Sequence, residues 1–308
     1  MPDRAIGRRS SVHFWILTRA RPLQKKESEY SEGGREKHAS HKPPDAKHAR
    51  PVRDMYVGTY ACDSCRSIWS RPDSVMITAK VSLVAQIAFT LLTFGGVLVH
   101  VDEEDAILRQ VAILETSSQA VEFAYYALVV FYFGGIRTWT RYLDWVVSTP
   151  LMIVSFAAFF VHRASLREEL EEEDSLSSRN LSDVFGAGRG EYLAAALATN
   201  TAMLLAGFLI ETGTVRRRTW KAMVTLFAFC AFLVTFVLLH VGYVLPRPGE
   251  ERADIVSVML LLFVYVVWGM YGAALFLDDV PKNVMYNALD VVSKNFYGVF
   301  VFAYILIR

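Results

Sequence analysis

The chain has 308 residues, 53% of them apolar, including 20 Phe, 14 Tyr and 6 Trp, and a net charge of +1. That apolar share is too high for an ordinary soluble domain, and the near-zero charge gives no global field to draw nucleic acid or acidic substrates. Three cysteines are too few for a disulfide framework.

Residues 1 to 71 are polar and basic, with Gly- and Pro-punctuated sequence such as EGGREKHASHKPPDAKHARP and no sustained apolar periodicity. This composition predicts a largely disordered segment. Its apolar patch, VHFWIL, is too short for a signal-peptide core. Cys62 and Cys65 form a C-x-x-C, for which His38, His41 and His48 are the nearest further zinc ligands. The pair reads better as ordinary exposed cysteines, or as an intersubunit disulfide if the segment lies outside the cell, and no metal site is expected. Cys230 sits in an apolar run and is expected to serve packing.

Seven long apolar stretches follow, at 75–99, 113–135, 141–162, 191–211, 219–245, 254–276 and 284–307. Each is near the ~20 residues that a membrane-spanning helix needs. A stretch surrounded by lipid must satisfy its own backbone hydrogen bonds, which makes helices the default. A soluble bundle would need a polar face on each helix, and LMIVSFAAFFV and VTLFAFCAFLVTFVLL have almost none. The sequence therefore predicts an all-α membrane protein over 72–308, a seven-helix bundle preceded by the basic segment 1–71.

Loop charges bear on orientation. The basic tail and VRRRTWK fall on one side, HVDEED and the acidic loop REELEEED on the other. The positive-inside tendency alone would put the amino terminus in the cytoplasm.

Ionisable groups within spans are costly and are functional candidates by default. Here they are Lys294 and Asp290 in the seventh stretch, Arg141 and Asp144 in the third, and Glu115 and Glu122 in the second. Lys80, near the start of the first, is expected to snorkel to the interface. An uncharged amine in an apolar pocket is a good nucleophile toward an aldehyde, so Lys294 is a candidate for a Schiff base. A carboxylate would then be needed nearby. Asp290 is one helical turn away, and Asp144 offers a second. A purely structural Lys–Asp ion pair is the alternative.

RYLDWVVSTPLM (141–152) and LDVVSKNFYG (289–298) closely resemble the third and seventh helices of microbial (type 1) rhodopsins. The resemblance covers about 75 to 308. It implies a bundle enclosing all-trans retinal bound to Lys294, with Asp144 and Asp290 as counterions and Arg141 and Tyr126 in their network. It also implies a ring-lining set of Trp145, Thr149, Met203, Gly207 and Trp268. The chain departs from the family where a second pocket tryptophan is expected about two turns before Trp268; Leu261 or a neighbour stands there, with Tyr265 as a possible substitute. LETSSQAVEFAYY, KVSLVAQI and YNALDVVSKNFYG are most similar to the viral-type rhodopsins of algal giant viruses.

The same resemblance frames three activities. For an outward proton pump Asp144 can accept a proton, with Ser148 one turn on. The donor position falls on Ser155, and near the family's outer glutamate pair stand Ala273 and Lys282, with Asp278 and Asp279 between. This disfavours fast outward pumping. Inward pumps share the serine but usually lack the aspartate that Asp290 supplies. For a channel, Glu115 and Glu122 are seven apart and share a helix face. In channelrhodopsins a helix-two glutamate, a helix-one serine and the asparagine after the lysine form a central gate, and Glu122, Ser82 and Asn295 match these types. Gln86 and Gln119 extend the polar path, and Thr149 with Asn200 would couple the chromophore to gating. Interhelical hydrogen bonds serving packing are the alternative for each polar group.

A light-gated cation channel is the leading expectation, with a light-driven proton pump next and a photosensor acting through a partner third. No nucleotide-binding or hydrolytic motif points to an enzyme. Expected partners are the lipid bilayer, monovalent cations or protons, and further copies of the chain in a homo-oligomer, with no nucleic acid. The family orientation implies a plasma-membrane protein with its amino terminus outside, against the loop charges. Asn180-Leu181-Ser182 offers a glycosylation test of the acidic loop's side.

Overall fold

The computed structural model describes residues 72–102, 105–171, 181–186, 188–246 and 253–308, with backbone alone at 72 and 168–171. The tail, with Cys62, Cys65 and its histidines, and Asn180 lie outside the described residues. The chain divides into two units, Met1–Gly58 and Thr59–Arg308, and all described residues belong to the second.

The described residues are helical throughout, with no strand. The helices are α1 (Pro72–Leu98), α2 (Ala106–Leu128), α3 (Tyr142–Glu171), α4 (Arg189–Glu211), α5 (Arg218–Leu239), α6 (Ile255–Ala274), α7 (Asp279–Asp290) and α8 (Phe296–Ile307). A π-helical turn, Val291–Asn295, joins α7 to α8, so the two form one rod, Asp279–Ile307. This makes seven helical rods. Two further π turns extend α2 over Val129–Phe133 and α5 over His240–Val244. Gly134 ends the first of these in the left-handed region, at φ 63°, a conformation that glycine adopts without a Cβ penalty.

Six of the rods are long and apolar enough to cross a membrane. α2 is not among them, because Arg109, Glu115, Gln119 and Glu122 dilute its apolar sequence. It also begins at Ala106, well ahead of the expected 113.

The side chains are sorted inside out. On α1, Ile77, Val81, Val84, Leu91 and Leu98 face outward, whereas Ser82, Gln86 and Thr93 are buried. On α2, Ile113, Phe123 and Leu128 face outward, whereas Glu115, Gln119 and Glu122 are fully buried. A soluble bundle shows the reverse. Lipid accepts the apolar faces, and the polar groups are kept where other helices can partner them. Cys230 is a correction: it is exposed on the outward face of α5 and packs into no core. Lys80 is exposed, as expected of a snorkelling residue.

The main apolar core runs between α3, α5, α6 and the α7–α8 rod, through Met152, Phe156, Phe159, Phe236, Trp268, Tyr297 and Val301. It fixes the rotation of α3 and the last rod, and so the placement of the charges they carry.

Candidate functional site

Two helices supply most of the site. On α3 and the short 3-10 turn before it, Arg141, Asp144, Trp145, Ser148, Thr149 and Met152 recur at helical spacing. The last rod presents Asn283, Asn287, Asp290 and Lys294 in the same way. The two faces meet. Lys294 Nζ lies 2.6 Å from Asp144 Oδ2, and its second carboxylate is Glu122, at 3.7 Å. All three side chains are at most 2% exposed.

Asp290 has a different partner. Arg141 Nη1 pairs with it at 2.9 Å, Tyr126 and Tyr271 each donate a hydroxyl to it at 2.7 Å, and the Trp145 indole donates at 3.4 Å. Arg141 also donates to the Asn283 side chain and carbonyl, at 3.3 and 3.1 Å, and to Asn287 Oδ1. The ion pairs are therefore Lys294–Asp144/Glu122 and Arg141–Asp290. Spacing alone had placed Asp290 beside Lys294, because it could not show that Arg141 turns away from Asp144.

Beside Lys294 is a cavity of about 820 Å³, its open mouth included. Trp145, Thr149, Met203, Gly207 and Trp268, all singled out from sequence, line it. So do Tyr142, Phe232, Tyr271, Leu275 and Tyr286, which sequence reasoning missed. Neither Leu261 nor Tyr265 lines the cavity. Leu261 is in the core, and Tyr265 packs on Phe232 and Phe236. The relevant α6 face runs forward from Trp268 to Tyr271 and Leu275, at spacings of three and seven, rather than backward. Tyr271 stacks on Tyr286, and Trp145 meets both edge-on at 5.4 and 5.3 Å, so one wall is a fixed aromatic block.

Toward the α8 end of the bundle, polar side chains continue from Lys294 between α1, α2, α3 and the last rod. Gln86, Glu115 and Asn295 are almost fully buried, and the side-chain oxygens and nitrogens of Gln86 and Asn295 have no hydrogen-bond partner among the described residues. Glu115 comes near Ser155, whose hydroxyl lies 3.2 Å from that of Tyr297. Ser148 is buried beside Asp144. Asn200 donates to Thr149 at 2.9 Å, tying α4 to α3 beside the cavity. The Ser82 hydroxyl donates to the Asn287 carbonyl at 3.0 Å, tying α1 to α7.

Ion pairs mark both ends. Lys282 pairs with Glu211 at 3.1 Å at the end where α7 begins. At the other end Arg163 grips both carboxylate oxygens of Asp254, at 2.6 and 3.1 Å. Asp254 also caps α6 by accepting from the Ser257 backbone N–H at 2.9 Å. Its carboxyl is held below the usual carboxylate range. Burial opposes this, but the hydrogen bonds from Arg163 and Ser257 outweigh it. His162 is buried 3.6 Å from Asp105, which Arg308 also meets at 3.5 Å.

Residues 59–307 match the family model described as bacteriorhodopsin-like protein. No curated protein matches the chain. Among solved structures the bundle is similar to viral rhodopsin OLPVRII, at 21% identity and a TM-score of 0.58, over 75% of this chain and 96% of that one. It is similar to the light-driven proton pump LR (Mac) from Leptosphaeria maculans, at 17% identity and a TM-score of 0.56, over 76% and 96% of the two chains. The blue light-absorbing proteorhodopsin from Med12 is a third, at 17% identity and a TM-score of 0.53, over 75% and 96%. At these identities the structures speak for the fold, and the family model covers most of the sequence. The chain is a multi-pass membrane protein that belongs to the bacteriorhodopsin-like family, the microbial rhodopsins.

Proposed function

We propose that the chain is a light-gated cation channel carrying all-trans retinal on Lys294. The observation that carries the channel reading is the run of buried polar side chains, Gln86, Glu115 and Asn295, that continues from Lys294 and Glu122, with Gln86 and Asn295 having no hydrogen-bond partner among the described residues. Packing alone gives no reason to bury amides without partners, since each costs free energy. A polar route that admits water and ions does, and its carboxylates favour cations.

The cavity fits the chromophore. Its wall is mostly aromatic and aliphatic, and Lys294 is the one amine among its lining residues. Retinal, when bound, supplies absorption of visible light and a change of shape. Lys294 Nζ is the point of attachment, and Asp144 and Glu122 hold the positive charge at that atom. Asp290, already engaged by Arg141, acts on it from further off. The Thr149–Asn200 bond sits where movement of the chromophore would shift α4 against α3.

A proton pump is the second reading, favoured by the position of Glu115. Ser155 has no carboxyl, but Glu115 lies beside it and is fully buried. Whole-cell recording under illumination at a series of voltages separates the two. A channel gives photocurrents that reverse with voltage, whereas currents of one direction at every voltage would establish the pump. The homo-oligomer and the amino-terminus-outside orientation belong to the same proposal.

A further inference from the structure

Gln119 was expected to extend the polar path. Its contacts give it another task. The side chain is fully buried on α2, and its amide nitrogen donates to the backbone carbonyl of Lys294 at 3.4 Å. That carbonyl can only accept, which fixes the orientation of the amide and leaves Oε1 to accept from Thr93 of α1, at 2.8 Å. One amide thus links three rods at the peptide of Lys294.

Two features show that the bundle is built around this link. Lys294 lies within the π turn Val291–Asn295, where the backbone leaves the regular i to i+4 ladder and its carbonyls are open to other donors. One turn later stands Gly298, which is buried. A Cβ there would overlap the Gln119 amide nitrogen and come within 2.7 Å of Thr93 Cγ2. The glycine is the notch into which Gln119 fits, and the donor reaches Lys294 only because residue 298 has no side chain.

We infer that Gln119 is a positioning residue that couples the backbone of Lys294 to α1 and α2. The inference rests on the reading of Lys294 as the chromophore lysine. A displacement of the Lys294 peptide on illumination pulls on Gln119, and through Thr93 on α1. α1 and α2 carry Gln86, Glu115 and Glu122, so the strain reaches the helices that line the proposed route. The link at 3.4 Å is long for an amide bond and correspondingly easy to break and remake.

The test uses the full chain, made with lysine labelled at the ¹³C carbonyl and reconstituted with all-trans retinal. Light-minus-dark infrared spectra select the lysine that moves. Q119L is expected to form pigment with its visible band in place and to raise the frequency of the labelled carbonyl, which has lost its donor. It should also change the rate of the last thermal step back to the dark state by about fivefold, the factor one hydrogen bond is worth. G298A should move the same carbonyl band with Gln119 still present. If G298A yields no pigment, T93S/Q119A/G298A decides, because the shortened residue 119 and the loss of Thr93 Cγ2 leave room for the new methyl group. Recovered pigment with the shifted band supports the link, and no recovery overturns it. Pigment from Q119L with the carbonyl band unmoved makes Gln119 a packing residue only and sinks the inference. Absence of a visible band in the wild-type chain would instead overturn the reading of Lys294 itself.

Discussion

Lys294 Nζ lies 2.6 Å from Asp144 Oδ2, while Arg141, adjacent on the same face, pairs with Asp290 at 2.9 Å. The two carboxylates closest in role therefore answer to different cations. Removing Asp144 removes the nearest anion from the chromophore nitrogen, whereas Asp290 is neutralised by Arg141 and held by two tyrosines. Asp144→Asn is expected to move the visible band to longer wavelength, and by more than Asp290→Asn does. It should also speed thermal bleaching, because breaking a buried pair costs about 3–5 kcal/mol. Lys294→Ala should abolish the visible band. Absorption spectra of the three variants check the order.

Gly207 lines the cavity from α4 and lies against Tyr142. A Cβ there would run into the Tyr142 hydroxyl and lie 3.1 Å from two of its ring carbons. Tyr142 is itself wedged edge-on against Trp145 and Phe208, at 5.1 and 5.8 Å, so it has little room to yield. Gly207→Ala should cost about 1–3 kcal/mol, the usual range for overpacking. Tyr142→Phe in the same chain should return most of it by removing the hydroxyl. Thermal melting of the pigment in the single and double variants reads both steps.

The bundle was legible because lipid reverses the usual sorting, and long apolar stretches are visible without knowing how they pack. Asp144 and Lys294 were legible from two local motifs. What stayed hidden were choices of partner across helices. Spacing shows which face of a helix a residue shares, but not the height or rotation of the opposing helix. That the Ser82 hydroxyl on α1 donates to the Asn287 carbonyl on α7 is therefore not legible from either segment. Arg163 and Asp254 are 91 residues apart, and nothing local to either predicts the pair. The resemblance put the second pocket position of α6 before Trp268, whereas the cavity is lined by Tyr271 and Leu275 after it. α2 was placed late, because Arg109 and Gln110 interrupt the apolar run of its first two turns.

Glu122 and Glu115 stand at different depths of the proposed route, and their neutral variants should separate its parts. Glu122 is 3.7 Å from Lys294, so Glu122→Gln alters both the chromophore and the passage of ions. It should shift the visible band and reduce cation photocurrent to less than half. Glu115 lies against Ser155, further from the lysine. Glu115→Gln should leave the band nearly in place while changing the reversal potential toward weaker cation preference. A Glu115→Gln variant with an unchanged reversal potential in sodium against potassium-free choline solution would remove Glu115 from the route.

Asp254 offers a pH test at the α8 end of the bundle. Its carboxyl titrates below the ordinary range, through the hydrogen bonds of Arg163 and Ser257 working against burial. A group whose folded value is depressed stabilises the fold above its unfolded value, near 3.9, and loses that contribution as pH falls through the folded value. The Arg163–Asp254 grip should therefore hold at neutral pH and fail in acid well below pH 4. Asp254→Asn keeps a good helix cap but loses the charge, and should cost about 1–3 kcal/mol at pH 7. The difference in melting temperature between wild type and Asp254→Asn is then expected to shrink as pH falls below about 4 and to vanish once Asp254 is protonated. A difference that stays constant into that acid range would mean that the carboxylate charge contributes nothing at this end.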